Sequence, residues 1–292
     1  MARPRSASDI GVVAQEKEAD MSELTLVVGG TGKTGRRVAE RLAARGVPVR
    51  IGSRGARPPF DWEREETWAG ALAGVRAAYV SYYPDLSVPG ASEKVRAFAH
   101  AAVEAGVRRL VLLSGRGEDG ALACEQGVRE SGAEWTILRS TWFSQNFSEG
   151  FFADQVRTGE VALPAGDVRE PFVDVDDIAE IAAEALSGDR HVGQVYELTG
   201  PRLLTFAEAI AEIGDASGRA LRYLPVPLEE YKALLVRYEV PADFIWLIGY
   251  LFTEVLDGRN ARLADGVERA LGRPPRDFRD YARDAAAAGA WS

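Results

Sequence analysis

The feature that most constrains this chain is a glycine pattern set between a strand and a helix. The apolar stretch Leu24–Val28 runs straight into Gly29-Gly30-Thr31-Gly32-Lys33-Thr34-Gly35, and Thr34–Arg45 then shows helical spacing. A continuous apolar run of this length predicts a strand buried on both faces of a parallel sheet. Gly29 allows the tight turn, Gly32 lets backbone N–H groups approach a pyrophosphate, and Gly35 lets the helix pack close to the strand. The positive end of the helix then faces the phosphates. Thr31, Lys33 and Thr34 belong to the same cradle. A nucleoside-triphosphate loop needs a glycine five residues before its Gly-Lys pair, and position 27 is Val, so that reading fails on spacing.

The rhythm continues. Val47–Ser53, Ala77–Tyr83, Leu110–Ser114 and Trp135–Arg139 read as strands, with helices at Ser92–Ala105 and Leu122–Ser131 between them. Repeated strand–helix–strand units predict an α/β fold with a Rossmann-type doubly wound parallel sheet, because parallel strands need helical crossovers. After Ser140 the pattern breaks into an aromatic-rich stretch, short extended pieces and mostly helical sequence. The expected organisation is a nucleotide-binding core over 22–158, completed by 175–199, with 159–174 and 200–292 forming a smaller, mostly helical substrate or lid region. Residues 1–21 read as a solvated, disordered tail.

The end of the second strand selects the nucleotide. An NAD site usually offers an acid there to accept from the ribose hydroxyls. Here the sequence is Gly52-Ser53-Arg54-Gly55, with no acid until Asp61. Arg54 can clamp a 2′-phosphate with its planar fork and Ser53 can donate a further bond, so the expected cofactor is NADP(H). Ser81 and Ser114, near the ends of the third and fourth strands, complete the expected cofactor set.

Composition removes several alternatives. One Cys excludes an internal disulfide framework, and two His with one Cys give no structural zinc set, so no metal is expected. The net charge of −9 argues against a general nucleic-acid binder or an anionic-membrane binder. No stretch reaches the roughly 18 apolar residues of a membrane span. The expectation is a cytoplasmic protein, monomeric or homodimeric, acting on a small hydrophobic molecule. Asp174, Asp176 and Asp177 read as a helix cap with dipole-favourable acids rather than as metal ligands.

These residues resemble the NmrA-like branch of the atypical short-chain dehydrogenase/reductase superfamily, and within it the ergot-alkaloid dehydrogenases that make festuclavine or agroclavine. The likeness rests on GGTGKTGRRVAERL, FDWEREETW (60–68), AYVSYY (78–83), VRRLVLLSG (107–115), EWTILRSTWFSQNF (134–147), PFVDVDDIAEIA (171–182) and ELTGPRLLTFAEAIAEI (197–213). It implies an NADPH-linked reductase or a cofactor-binding regulator. The chain departs from the wider superfamily because none of its nine tyrosines has Lys four residues on, so the Tyr-x-x-x-Lys proton donor is missing. Hydride delivery to a ketone creates an alkoxide that needs an acid, whereas delivery to an iminium neutralises a charge and needs none. An imine or iminium is therefore the expected acceptor, with a quinone or enone next and a non-catalytic NADP(H) sensor as the other class. Ser114 and Tyr82 are the catalytic candidates. Tyr83, Trp142, Phe143 and Asn146 are the substrate candidates, with one of the pair Trp142 and Phe143 expected to face the nicotinamide.

Overall fold

In the computed structural model, which describes residues 24–150 and 152–292, six parallel strands form the central sheet. These are β1 (Thr25–Val28), β2 (Val49–Gly52), β3 (Ala77–Val80), β4 (Arg109–Gly115), β5 (Glu134–Ser140) and β8 (Gln194–Leu198), in the order β2-β1-β3-β4-β5-β8. The chain leaves β1 in one direction to reach β2 and in the other to reach β3, so a crevice opens between β1 and β3 at their carboxyl ends. The expected tail, 1–21, lies outside the described residues.

Alternation along the strands divides the apolar residues between two layers. One face carries Leu26, Val28, Leu110, Leu112 and Ile137 against the helices Ala91–Glu104 and Asp119–Arg129. The other carries Val27, Tyr79, Val111 and Leu138 against Lys33–Ala44 and Val175–Ser187. The second of these helices starts where expected. Asp174 accepts the Asp176 N–H at 2.8 Å, and Asp176 and Asp177 occupy the first turn. Asp174 and Asp177 are also held by Arg276 and Arg273, and no metal-holding group occurs among the described residues.

The third expected strand ends at Val80 instead of Tyr83, because Ser81 leaves the ladder beside the glycine loop. The helix expected from Leu122 begins at Asp119. A separate core forms beyond β5. Phe147, Phe152, Phe172, Phe206, Phe278, Tyr281 and Trp291 are buried in it, together with residues of the Ala242–Tyr250 helix and the wider turn that follows. Two small sheets edge this core. β6 (Glu160–Leu163) pairs in parallel with β10 (Arg222–Pro225), and β7 (Arg169–Glu170) pairs antiparallel with β9 (Leu204–Thr205).

Candidate functional site

The glycine loop closes onto itself through backbone contacts that only hydrogen side chains permit. Gly29 has φ +69°, and its carbonyl accepts the Gly32 N–H at 2.8 Å. A Cβ on Gly35 would lie 2.3 Å from that same carbonyl oxygen, and one on Gly30 would lie 2.9 Å from the Val27 carbonyl. The Lys33–Ala44 helix therefore starts against the strand end. No side chain caps its N-terminus and no acid sits in its first turn. Such a start leaves N–H groups and the positive end of the dipole for an anion. Thr31 and Gly32 are exposed, whereas Thr34 and Gly35 are buried, so the last two contribute through backbone and packing.

Ser81 flanks the opposite side of the crevice, since a Cβ on Gly29 would touch its Cβ at 3.4 Å. The FDWEREETW segment braces this point. Phe60, Trp62 and Trp68 pack with Phe98 at ring separations of 5.1–6.4 Å, and the Trp62 indole N–H donates to the Ser81 carbonyl at 3.2 Å. The segment is thus an aromatic buttress for the end of β3. It also explains Tyr82, whose ring lies 4.8 Å from Trp62 and whose hydroxyl is pushed up to about 12 by burial and then by Glu63. Tyr83 turns the other way. It is 63% exposed and meets Phe244 of the C-terminal region at 6.1 Å, across the mouth of the crevice.

Beyond β2, Ser53 is half-buried and Arg54 is exposed, with no carboxylate partner among the described residues. Asp61, the next acid along the chain, accepts the Glu63 N–H on its Oδ1 at 3.1 Å. Positive charge nearer the loop is more restricted than a count of basic residues implies. Arg36 and Arg37 are paired with Glu149 at 2.5 and 2.7 Å. Lys33 reaches Asn146 Oδ1 at 2.6 Å, and burial lowers its pKa. This contact brings together two residues that the sequence placed in different subsites. The segment Asn146–Gly150 lies over the helix start, with a Cβ on Gly150 falling 2.7 Å from the Lys33 ammonium. The bare helix start, the cramped glycine cradle and the free Arg54 fit a dinucleotide carrying an extra phosphate.

Ser114 is engaged with a carboxylate inside the protein. Its Oγ is buried and donates to Glu125 Oε1 at 2.7 Å, while Arg139 grips the same carboxylate at 2.7 and 2.6 Å. Its position in β4 sends the side chain into the Asp119–Arg129 helix layer, so the hydroxyl serves a buried ion pair. Trp142 faces the aromatic core, parallel to Phe152 at 6.0 Å and 5.4–5.6 Å from Phe206 and Phe252. Phe143 turns toward the opposite layer and bridges to Val173. The two substrate candidates therefore part company. Cys124 is buried with its thiol pushed up to about 12, in keeping with an inert packed residue. His191 is buried against Tyr196 at 2.9 Å.

Besides Glu125, sequence reasoning missed two further buried acids. Glu118, just after β4, takes an O–H from Ser87 at 2.7 Å, and Asp85 takes the Ser87 N–H at 2.8 Å. Burial, with Asp85 second, pushes Glu118 up to about 8. The available signal was Gly115, since a Cβ there would overlap the Glu118 carboxyl at 2.2 Å. Glu170, on β7, is fully buried and accepts the Thr141 hydroxyl at 2.5 Å; burial pushes it up to about 7. No periodicity or motif marks it, because the contact joins residues 29 apart, one just beyond β5 and the other on β7.

Comparison with known proteins follows this geometry. A model of the NmrA-like family matches residues 21–258. The uncharacterized oxidoreductase YesF of Bacillus subtilis is 33% identical over 91% of this chain and 96% of its own length. An NAD(P)H azoreductase of Xenophilus azovorans is 30% identical over 91% and 99%. Agroclavine dehydrogenase of Claviceps fusiformis is 30% identical over 89% and 96%. Among solved structures, a Citrobacter triphenylmethane reductase complexed with NADP(H) superposes with a TM-score of 0.69 at 21% identity, covering 90% of this chain and 99% of its own.

Proposed function

The chain belongs to the NmrA-like family, and from that premise we propose that it is an NADPH-dependent oxidoreductase reducing a flat, hydrophobic acceptor. The preferred acceptor is an imine or iminium. When bound, the reduced nicotinamide supplies the hydride. The residues of the chain bind, orient and keep water away. The helix start at Gly32 and Lys33 holds the pyrophosphate, and Ser53 and Arg54 hold the 2′-phosphate. Ser81, steadied by Trp62, lines the crevice. Trp142, with Phe252 behind it, and Tyr83, with Phe244 opposite, form aromatic walls for a planar cation.

The observation that carries this reading is the fate of Ser114. Its hydroxyl is committed to Glu125 in a chain with no Tyr-x-x-x-Lys, so the usual superfamily machinery for protonating an alkoxide is absent. A hydride acceptor that is already cationic makes no such demand, and proximity alone supplies much of the rate. The azoreductase relative supports a second reading, in which a neutral conjugated acceptor is also reduced. Following NADPH absorbance with cyclic iminiums, quinones and enones tests the proposal. Turnover is expected to be fastest with the iminiums. Tight NADPH binding with no turnover of any acceptor would replace the enzyme with a cofactor sensor.

A further inference from the structure

A buried polar group at the carboxyl ends of β4, β5 and β8 has no part in cationic-acceptor chemistry. Glu170 Oε2 accepts the Thr141 hydroxyl at 2.5 Å, but Oε1 finds no partner among the described residues. The same holds for Ser140 Oγ and for Nη2 of Arg116, a residue only 2% exposed. The rest of that guanidinium is occupied by Glu197 at 3.1 Å and by the carbonyls of Asn260 and Arg262 at 3.0 Å. Backbone contacts hold the group together, with Arg116 N on the Ser140 carbonyl at 3.0 Å and Thr141 N on the Leu198 carbonyl at 3.2 Å. Buried polar atoms left without partners are costly, so a spare acceptor on Glu170 and a spare donor on Arg116, whose charge acts on Glu170, point to exchange with a polar guest.

Glu170 is suited to hold a proton near neutrality. Burial pushes it up to about 7, while the Thr141 hydrogen bond and the charge of Arg116 pull it back. Arg116 is the charged group that faces it. Arg169, its neighbour in the chain, is turned to Glu208, and Glu197 and Arg262 face Arg116. Thr141 directly follows β5, beside Trp142, where a doubly wound sheet presents residues to its ligand.

We propose that Thr141 is a catalytic proton donor to neutral hydride acceptors and that Glu170 is the positioning residue that resupplies it. The inference rests on the reductase reading. One atom of the acceptor double bond takes the hydride, the π bond breaks, and its electron pair moves to the other atom. That atom forms a bond to the Thr141 hydroxyl proton. With Glu170 protonated, its carboxyl O–H donates to the Thr141 oxygen across the same 2.5 Å contact; as the Thr141 O–H bond breaks, that oxygen takes the Glu170 proton, and the resulting carboxylate recovers one from solvent. The nicotinamide is the two-electron reductant. A cationic acceptor needs no such proton, so the relay divides substrates by charge and extends the reaction to azo compounds, quinones and enones. The Asp85–Glu118 pair is a weaker source, because its carboxyls are already engaged with Ser87 and each other.

The test compares the full-length protein with NADPH on a neutral azo dye and on a cationic triarylmethane dye between about pH 6 and 8, around the titration of Glu170. Azo-dye kcat is expected to fall as pH rises through about 7, while triarylmethane kcat stays flat. Glu170→Gln keeps the neutral acid's shape. It is expected to lower azo-dye kcat about tenfold or more, remove its pH dependence and leave the cationic dye within about twofold. Thr141→Val should do the same, and Thr141→Ser should restore azo reduction. Equal losses on both dyes, a retained pH profile in Glu170→Gln, or removal of the profile by Glu118→Gln instead would each overturn the proposal. Absence of turnover with every dye in the unmodified protein would overturn the reductase reading itself, and this proposal with it.

The fold provides a readout independent of activity. The Glu170 pKa is raised on folding, so its contribution to stability is full below the ordinary carboxylate range and is lost as pH rises through about 7. Glu170→Gln should therefore melt higher than the unmodified protein at pH 8, with the gap narrowing toward pH 5. A gap of constant size would remove the buried proton from the argument.

Discussion

The cofactor side and the acceptor side of the crevice are built in opposite ways. The cofactor side is made of backbone, with a positive φ at Gly29, a helix start without a cap and a strand end pressed against Gly35. Its tolerance is set by fractions of an ångström, and its chemistry is the same for any residue that leaves those N–H groups open. The proposed acceptor side is made of side chains. Trp142, Phe152, Phe206 and Phe252 form one cluster from four separate segments, and Tyr83 beyond the end of β3 meets Phe244. On the proposed reading, phosphate recognition is a local property of one turn, whereas acceptor recognition is a property of how a second core packs.

That contrast can be broken most forcefully in the second core. Phe206→Ala is expected to destabilise the protein by about 3–5 kcal/mol, measured by urea unfolding, because a fully buried ring at the centre of the aromatic cluster is removed. NADPH affinity of the surviving folded fraction should change far less than acceptor turnover. Equal losses of both would mean that the two sides are one cooperative structure. The next effect is at the turn. Gly35→Ala is expected to cost about 1–3 kcal/mol through overpacking against the Gly29 carbonyl and to weaken NADPH binding, followed by nicotinamide fluorescence. Unchanged affinity would show that the cradle is looser than its contacts indicate. Smallest and most selective is Arg54→Glu, expected to raise the apparent NADPH constant roughly 10–100-fold while sparing NADH. A matching loss for both cofactors would remove the 2′-phosphate clamp.

Much of this molecule was legible in its residues, but unevenly. The order of strands through β5 follows from apolar runs and glycine stops, though not the short helix Trp68–Leu72 between β2 and β3, and the Asp174 cap follows from three acids ahead of an apolar helix. FDWEREETW was legible as a mark of kinship and opaque as structure; only packing shows Trp62 supporting the Ser81 carbonyl. Ser114 was legible by position, whereas its partner was not, because alternation along β4 aims it into a helix layer at Glu125. Arg36 and Arg37 are basic residues beside the glycine loop in sequence, and only the fold pairs them with Glu149, more than a hundred residues away in the chain.

The sequence by itself determined the parallel sheet, the glycine cradle and the absence of a Tyr-x-x-x-Lys pair. Each of these depends on residues within one turn or one strand–helix unit, where spacing alone dictates geometry. Tertiary structure alone decided which hydroxyls and acids remain available. Ser114 is bound to a carboxylate gripped by arginine, and Thr141 to one that burial leaves near neutrality. Desolvation and long-range pairing set those states, and both depend on what the folded chain brings alongside a residue rather than on its neighbours in sequence.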